Sequence, residues 1–154
     1  MPDKKVILLV EDSPDDAELA VRALEKQHAA DRMVVVHDGA EALEFLFGTG
    51  RYADRDMSVT PSLVLLDLKL PKVDGLEVLR RLRADERTKL IPVVVLTASQ
   101  EEMDLIESYS LGCNSYLRKP VDFAEFISNV GQVARYWLDL NEPAPGSAKE
   151  PKRV

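Results

Sequence analysis

The sequence predicts an α/β fold in which five parallel strands form one doubly wound sheet that is covered by five helices. Two observations support this prediction. Short apolar runs alternate with stretches of helical period, and several of the runs are uninterrupted, as in strands that are covered on both faces. With 154 residues, of which 45% are hydrophobic, the chain can bury one core. We therefore expect a single domain at residues 1–140.

The first two βα units are predicted from residue 6 onward. Val6–Val10 is an apolar run of strand length, followed by Ser13 as a suitable N-cap and by Pro14 at a first helical position. Helix 1 then shows apolar residues at helical spacing. Strand 2 is predicted at residues 33–36, and Gly39 begins helix 2.

The later elements repeat this pattern. Their strands are rich in valine and leucine, and their helices carry an apolar residue every three or four positions. Gly112 is suited to end helix 4 in the left-handed conformation. The predicted elements are strand 3 at residues 63–68, helix 3 with Leu76, Leu79 and Leu82, strand 4 at residues 93–96, helix 4 at residues 99–111, strand 5 at residues 115–117, and helix 5 with Phe126, Val130, Val133 and Trp137.

Two segments lie outside this repeat. Residues 48–60, rich in glycine, arginine, aspartate and serine, join helix 2 to strand 3. A connection of this length is either a functional loop or an insertion that costs little closure entropy, and both alternatives stay open. Residues 141–154 combine prolines with polar side chains and have too little apolar surface to fold, so we predict a flexible C-terminal tail.

Charge and cysteine content limit the partners and the compartment. A net charge of -7 argues against a nucleic-acid binder, because such proteins usually carry a basic face. No apolar stretch approaches the ~20 residues that a membrane span needs. Cys113 is the single cysteine, which excludes an internal disulfide and a cysteine-based zinc site and fits a reducing compartment. We expect a cytoplasmic protein with protein partners.

Polar side chains follow four of the predicted strands at the point where each strand ends. Because the carboxyl ends of parallel strands share one edge of the sheet, these side chains should lie together. Carboxylates at such short range repel each other, and a divalent cation removes the repulsion. Oxygen ligands favour Mg2+ or Mn2+ over zinc, and a metal beside a lysine is suited to handling a phosphoryl group. The side chains are Glu11, Asp12, Asp67, Thr97 and Lys119.

Four motifs surround these residues: LLVEDSPDDAEL, LVLLDLKLPKVDGLEVLRRLR, VVVLTAS and YLRKPVDF. In this order they resemble the response-regulator receiver domains of bacterial two-component signalling, and the resemblance extends to about Leu138. It implies a flavodoxin-like sheet with the strand order 2-1-3-4-5 and a sensor histidine kinase as partner. The segments FLFGTGRYADRD and YWLDLNEP also resemble the single-domain regulators of phytochrome-type histidine kinases.

The resemblance implies a phosphoacceptor and a metal site. Asp67 would be the nucleophile that takes the phosphoryl group from a phosphohistidine. Asp12 and Asp67 would hold Mg2+ directly, Glu11 would hold it through water, and Lys69 would contribute its backbone carbonyl. His28 and His37 are expected to lie away from this cluster.

The resemblance also implies how the phosphorylated state is stabilised and read. Lys119 would contact the phosphoryl oxygens, aimed inward by a cis bond to Pro120. Thr97 and Tyr116 would form a two-state switch that is biased by the phosphoryl group. The side chains of Lys69 and Ser99 occupy positions that gate the attacking water in this family. Neither is an acid or an amide, so slow self-hydrolysis is expected.

The end of helix 5 carries aromatic side chains that suggest an interface. In the resembling regulators, helix 4, strand 5 and helix 5 form a homodimer surface. Tyr136 and Trp137 are interface candidates here, although Trp137 could equally close the core of the monomer.

A Mg2+-dependent phosphohydrolase would need an aspartate where Lys69 stands. A flavodoxin-like cofactor binder would need a phosphate loop where Glu11 and Asp12 stand. A receiver-like scaffold that takes no phosphate is disfavoured because all five site residues are present. We therefore expect a phosphoacceptor signalling protein rather than an enzyme.

Overall fold

A computed structural model describes residues 5–27 and 30–145, and it contains one parallel sheet of five strands in the order β2-β1-β3-β4-β5. Both the predicted strand order and the five helices are confirmed. In the described part of the chain, no helix is long and apolar enough to cross a membrane. The strands are β1 at Val6–Val10, β2 at Arg32–Val36, β3 at Leu63–Leu66, β4 at Val93–Thr97 and β5 at Ser115–Arg118, and the helices are α1 at Pro14–Gln27, α2 at Gly39–Phe47, α3 at Gly75–Ala84, α4 at Glu102–Ser110 and α5 at Phe123–Arg135.

Two apolar layers bury the sheet. In β1 the side chains of Val6, Leu8 and Val10 pack into one layer with α2 and α3. Those of Ile7 and Leu9 pack into the other layer with α1 and α5. This alternation follows from the two-residue period of a strand. Because both faces are covered, all five residues of β1 are buried, as the uninterrupted apolar run predicts.

The local starts and ends of elements differ from the predictions at two functionally placed points. Strand β3 stops at Leu66 because the Asp67 carboxylate turns back and accepts hydrogen bonds from the backbone N–H groups of Leu68 and Lys69, at 2.7 Å and 3.4 Å. Helix α4 begins at Glu102 rather than at residue 99. The Ser99 hydroxyl competes for local hydrogen bonds there, accepting from the N–H of Glu101 at 3.2 Å.

Residues 48–60 fold onto α2 as part of the domain. Arg55 holds this segment in place, since it donates to the backbone carbonyls of Phe45 at 2.6 Å and Val59 at 2.9 Å, and its guanidinium lies 4.2 Å from the centre of the Phe45 ring. Tyr52 packs edge-on against Phe45 and donates its hydroxyl to the buried Glu41 at 2.8 Å. The segment is therefore tied to α2 by side chains that no local sequence pattern connects.

The end of the domain is a five-residue π-helical turn, Tyr136–Leu140, which continues from α5. Asn141 closes it by donating its N–H to the carbonyl of Tyr136 at 2.7 Å. Residues 146–154 of the predicted tail lie outside the described residues. The boundary at residue 140 and the flexibility of the tail stay predictions.

Candidate functional site

Three carboxylates meet at the carboxyl edge of the sheet. Strands β1 and β3 are neighbours in register, with Val10 opposite Leu66, so the residues that follow each strand come side by side. Oxygens of Glu11, Asp12 and Asp67 lie within 4.8 Å of one another. Glu11 is 2% exposed and Asp67 is 6% exposed, whereas Asp12 is open to solvent. Two of the three negative charges are therefore largely removed from water.

The ammonium of Lys119 lies among these acids. Its Nζ is 2.8 Å from Glu11 Oε1, 3.0 Å from Asp67 Oδ2 and 2.9 Å from Asp16 Oδ2. Burial by itself lowers the pKa of this ammonium, but the hydrogen bonds to Glu11 and Asp16 and the charge of Asp67 outweigh burial. The pKa of Lys119 therefore lies above its ordinary value, and the side chain is a permanent cation at the site.

The prediction of a cis bond between Lys119 and Pro120 is wrong. Cis peptides do not occur among the described residues, and this bond is trans. An X–Pro bond favours trans by about 0.5–1 kcal/mol unless its surroundings select cis. Lys119 still reaches the acidic edge, because its backbone follows β5 and its N–H donates to the carbonyl of Thr97 at 2.8 Å.

The electrostatics of the edge fit a divalent cation. Burial raises the pKa of Glu11 to about 7, with the hydrogen bond from Lys119 opposing the shift and the charge of Asp67 adding to it. Independently of this shift, the single ammonium of Lys119 faces the three carboxylates of Glu11, Asp16 and Asp67 and cannot balance all of them. The donor set of carboxylate oxygens, without histidine or cysteine, suits Mg2+ or Mn2+. Such an ion would supply the missing positive charge.

Thr97 and Tyr116 occupy the neighbouring strands. Thr97 is fully buried at the end of β4, and its hydroxyl accepts from the N–H of Ser99 at 3.2 Å. The ring of Tyr116 packs against the first apolar layer, 6.5 Å from the ring of Tyr109. Its hydroxyl is buried and makes no hydrogen bond of good geometry among the described residues, but the side chain of Ser99 is near enough to act on it as a weak partner. Burial nevertheless raises the pKa of Tyr116. A buried hydroxyl without any partner costs about 1–3 kcal/mol, so this inward rotamer leaves a polar group incompletely satisfied.

The side chains of Lys69 and Ser99 are joined through α4. The Nζ of Lys69 lies 3.2 Å from Glu101 Oε1 and 3.2 Å from Asp104 Oδ2, and the Ser99 hydroxyl donates to the same Asp104 oxygen at 2.6 Å. The hydrogen bonds from Ser99 and Lys69 lower the pKa of Asp104. A network of polar side chains thus connects the loop after β3 to the first turn of α4.

Two residues close to the site were missed or misplaced by the sequence reasoning. Asp16 binds Lys119 from the first turn of α1, and its spacing of four residues after Asp12 was a usable signal. His37 is exposed, as expected of a solvated histidine, but it lies closer to the cluster than expected: its Nδ1 is 3.3 Å from the backbone carbonyl oxygen of Glu11. This follows from the pairing of Val10 with Val36 in adjacent strands. His28 lies outside the described residues.

The interface candidates differ in their surroundings. Trp137 is half-buried and packs against the second apolar layer, whereas Tyr136, in edge-on contact with it at 5.2 Å, is 48% exposed. The position of Trp137 thus matches the alternative in which it closes the core of the monomer. On α4, three large side chains are exposed: Met103, Ile106 and Tyr109.

Comparison with protein families identifies similar sequences. The model of the family "Response regulator receiver domain" matches residues 7–131. The chain is 43% identical over 146 residues to the probable methanogenesis regulatory protein FilR2 of Methanothrix harundinacea, covering 95% of this chain and 91% of that protein. It is 42% identical over 135 residues to the response regulator Rcp1 of a Synechocystis strain, covering 88% and 90% of the two proteins.

Solved structures of similar proteins share the fold. The Mn2+-bound form of Rcp1 matches with a TM-score of 0.84 and 39% identity over 91% of this chain and 99% of that one. The phosphorylated cyanobacterial phytochrome response regulator RcpA matches with a TM-score of 0.85 and 38% identity, over 91% and 98% of the chains. The bacteriophytochrome response regulator RtBRR matches with a TM-score of 0.73 and 48% identity, over 94% and 86%.

Proposed function

We propose, since the chain belongs to the response regulator receiver domain family, that Asp67 is the residue that accepts a phosphoryl group from a sensor histidine kinase. Phosphoacceptor signalling, rather than the turnover of a metabolite, is the function of the chain. The setting of Asp67 supports this choice: it is a buried carboxylate 3.0 Å from the ammonium of Lys119, within 4.8 Å of two further carboxylates. Asp12 is exposed. Glu11 is buried and lies 2.8 Å from the same ammonium, so the choice between Glu11 and Asp67 rests on the receiver-domain motifs, in which Asp67 stands at the phosphoacceptor position.

The chemistry follows from this setting. An oxygen of Asp67 attacks the phosphorus, the bond from phosphorus to the histidine nitrogen breaks, and the imidazole leaves with the electron pair and takes up a proton. The product is a mixed anhydride on Asp67. Lys119 is already protonated. The hydrogen bond that it donates to Asp67 Oδ2 can shift to a phosphoryl oxygen, where the ammonium balances the negative charge that develops.

The metal is proposed to be Mg2+, with Asp12 and Asp67 as direct ligands, Glu11 acting through water and Lys69 through its backbone carbonyl. The convergence of three carboxylates and the oxygen-only donor set support a hard divalent cation, and the similar Rcp1 has a Mn2+-bound form. When bound, the ion neutralises charge on the transferred phosphoryl group.

The phosphorylated state is proposed to be long-lived, and a conformational switch is proposed to respond to it. The side chains of Lys69 and Ser99 are held by Asp104, and neither carries an acid or an amide that could orient an attacking water. Phosphorylation would draw the Thr97 hydroxyl toward Asp67, and the space this leaves would favour another packing of Tyr116. The weakly paired hydroxyl of Tyr116 supports this role, because its present position is not fully satisfied.

The partners proposed are a phytochrome-type histidine kinase and a second copy of the chain. The names of RcpA and RtBRR support the first. A homodimer through α4, β5 and α5 is supported by the exposed Met103, Ile106 and Tyr109, a group of apolar side chains typical of contact surfaces. The net charge of -7 supports protein partners over nucleic acid, and a cytoplasmic location is proposed from the dependence on a sensor kinase.

Labelling by a small phosphoryl donor tests the assignment of Asp67. The protein is incubated with acetyl phosphate and Mg2+, and intact mass spectrometry counts added phosphoryl groups. One added phosphoryl group is expected. Hydroxylamine should remove it, and omission of Mg2+ should prevent its addition. Asp67→Asn should take up none, while Asp54→Asn, which removes an exposed aspartate from the loop before β3, should be labelled like the wild type. Equal labelling of the Asp67 variant would overturn the proposal.

A further inference from the structure

Asp16 differs from the other carboxylates that hold Lys119. Lys119 Nζ has three donors, and all three are used, by Glu11, Asp16 and Asp67. Glu11 and Asp67 belong to the group of three carboxylates that converge within 4.8 Å of one another, whereas Asp16 does not. A cation bound by that group would compete with the lysine for Glu11 and Asp67, but it would leave Asp16 free to hold the ammonium.

Asp16 is also on a rigid support. It lies in the first turn of α1, where the helix dipole favours a negative charge, and its N–H donates to the hydroxyl of Ser13 at 3.3 Å. One residue later, the side chain of Ala17 is buried against the sheet, which fixes the position of this turn. The Asp16 side chain is 33% exposed, so this carboxylate lies at the solvent side of the lysine rather than in the buried group of Glu11 and Asp67.

We propose that Asp16 is a positioning residue that holds the ammonium of Lys119 toward α1, so that the lysine and a divalent cation can share one edge of the sheet. Without Asp16, an unneutralised ammonium would stay against Glu11 and Asp67 and compete with the cation for them. Asp16 acts through Lys119 and contacts neither the metal nor the phosphoryl group. The inference rests on the proposed metal site of the proposed function.

The expected effect is a loss of metal affinity that depends on Lys119. Asp16→Asn should weaken Mn2+ binding about 10-fold, as for partners that act through another residue at a metal site. Asp15→Asn is the matched control, because Asp15 is an exposed acid in the same helical turn. It removes the same charge and should change the affinity little. Asp16→Glu keeps the charge and should restore most of the affinity.

A double-mutant cycle with Lys119→Met separates the proposal from simpler explanations. In that background there is no ammonium to hold, so Asp16→Asn should weaken Mn2+ binding no more than Asp15→Asn does. Binding is measured by the electron paramagnetic resonance signal of free Mn2+, which requires no phosphoryl transfer. Circular dichroism confirms that each variant is folded.

The outcomes distinguish this inference from the function on which it rests. Unchanged Mn2+ affinity in Asp12→Ala would overturn the metal site itself, and the role of Asp16 with it. If Asp12→Ala loses the metal but Asp16→Asn binds it like the wild type, the role of Asp16 alone is overturned. An equal loss for Asp16→Asn with and without Lys119 would also overturn it, since Asp16 would then act on the cation directly.

Discussion

Replacing Glu11 by glutamine should change how the stability of the metal-free protein depends on pH. The pKa of Glu11 is raised from 4.5 to about 7 because the carboxyl is buried beside Asp67. The folded protein therefore binds this proton more tightly than the unfolded chain does. Between pH 4.5 and 7 the folded state carries more protons, so stability falls as the pH rises through this range.

The size of the stability change follows from the pKa shift of Glu11. A difference of 4.5 to about 7, at 1.36 kcal/mol per pKa unit, corresponds to about 3 kcal/mol of stability that is present below pH 4.5 and lost once Glu11 is ionised. Glu11→Gln keeps an oxygen for Lys119 but cannot ionise. Its free energy of unfolding should vary less across this range and exceed that of the wild type above pH 7. The pKa values of Glu77 and Asp85, lowered to about 2 by neighbouring arginines, affect more acidic solutions.

Urea denaturation in the presence of EDTA, at several pH values from 5 to 8, measures this difference. Glu18→Gln is a suitable control because it removes an exposed glutamate from α1. Saturating Mg2+ should restore much of the wild-type stability above pH 7, since a ligand that binds only the folded state stabilises it. Equal pH dependence of the wild type and Glu11→Gln in EDTA would refute the reasoning.

Two further changes test the switch and the polar network. Tyr116→Phe should raise the free energy of unfolding by up to about 1 kcal/mol in urea denaturation, because it removes a buried hydroxyl that is held by no more than a weak contact with Ser99 among the described residues; a marked loss would contradict this. Lys69→Met removes two ion pairs whose lysine is mostly exposed, so stability should change by less than about 1 kcal/mol. Hydrogen exchange at the start of α4 should nevertheless become faster, and unchanged exchange would show that Lys69 does not hold this turn.

The edge of the sheet was predictable because two simple patterns specify it. Apolar runs mark the strands, and parallel pairing brings the residues after Val10 and Leu66 together. The position of Asp16 needed a further step, since it is set by the helical turn that follows and not by a strand end. The contact between His37 and Glu11 follows from the β2-β1 pairing that the resemblance implied, so it could have been predicted once the residues after Val10 and Val36 were compared.

Other features depend on tertiary contacts with no local signature. Helix α4 begins later than its apolar period suggests because the hydroxyl of Ser99 is bound by Asp104, five residues away. The attachment of residues 48–60 depends on Arg55 finding carbonyl groups on α2 and in its own loop. For Trp137, composition could not decide between core and interface, because the outcome depends on the π-helical turn that follows α5.

Two sets of contacts connect the carboxyl edge of the sheet to the surface, and they have different roles. Lys119 and Asp16 connect it to α1, where both partners are charged and the contact adjusts the balance of charge at the metal edge. Thr97, Ser99 and Asp104 connect the neighbouring strand end to α4 through hydrogen bonds of defined direction. Asp104 is buried, whereas Met103 beside it is exposed on the proposed dimer surface. Any displacement of Thr97 toward a phosphoryl group removes the acceptor for the N–H of Ser99, and the hydroxyl of Ser99 holds Asp104 together with Lys69. The surface of α4 should therefore change on phosphorylation, whereas the surface of α1 should change on metal binding.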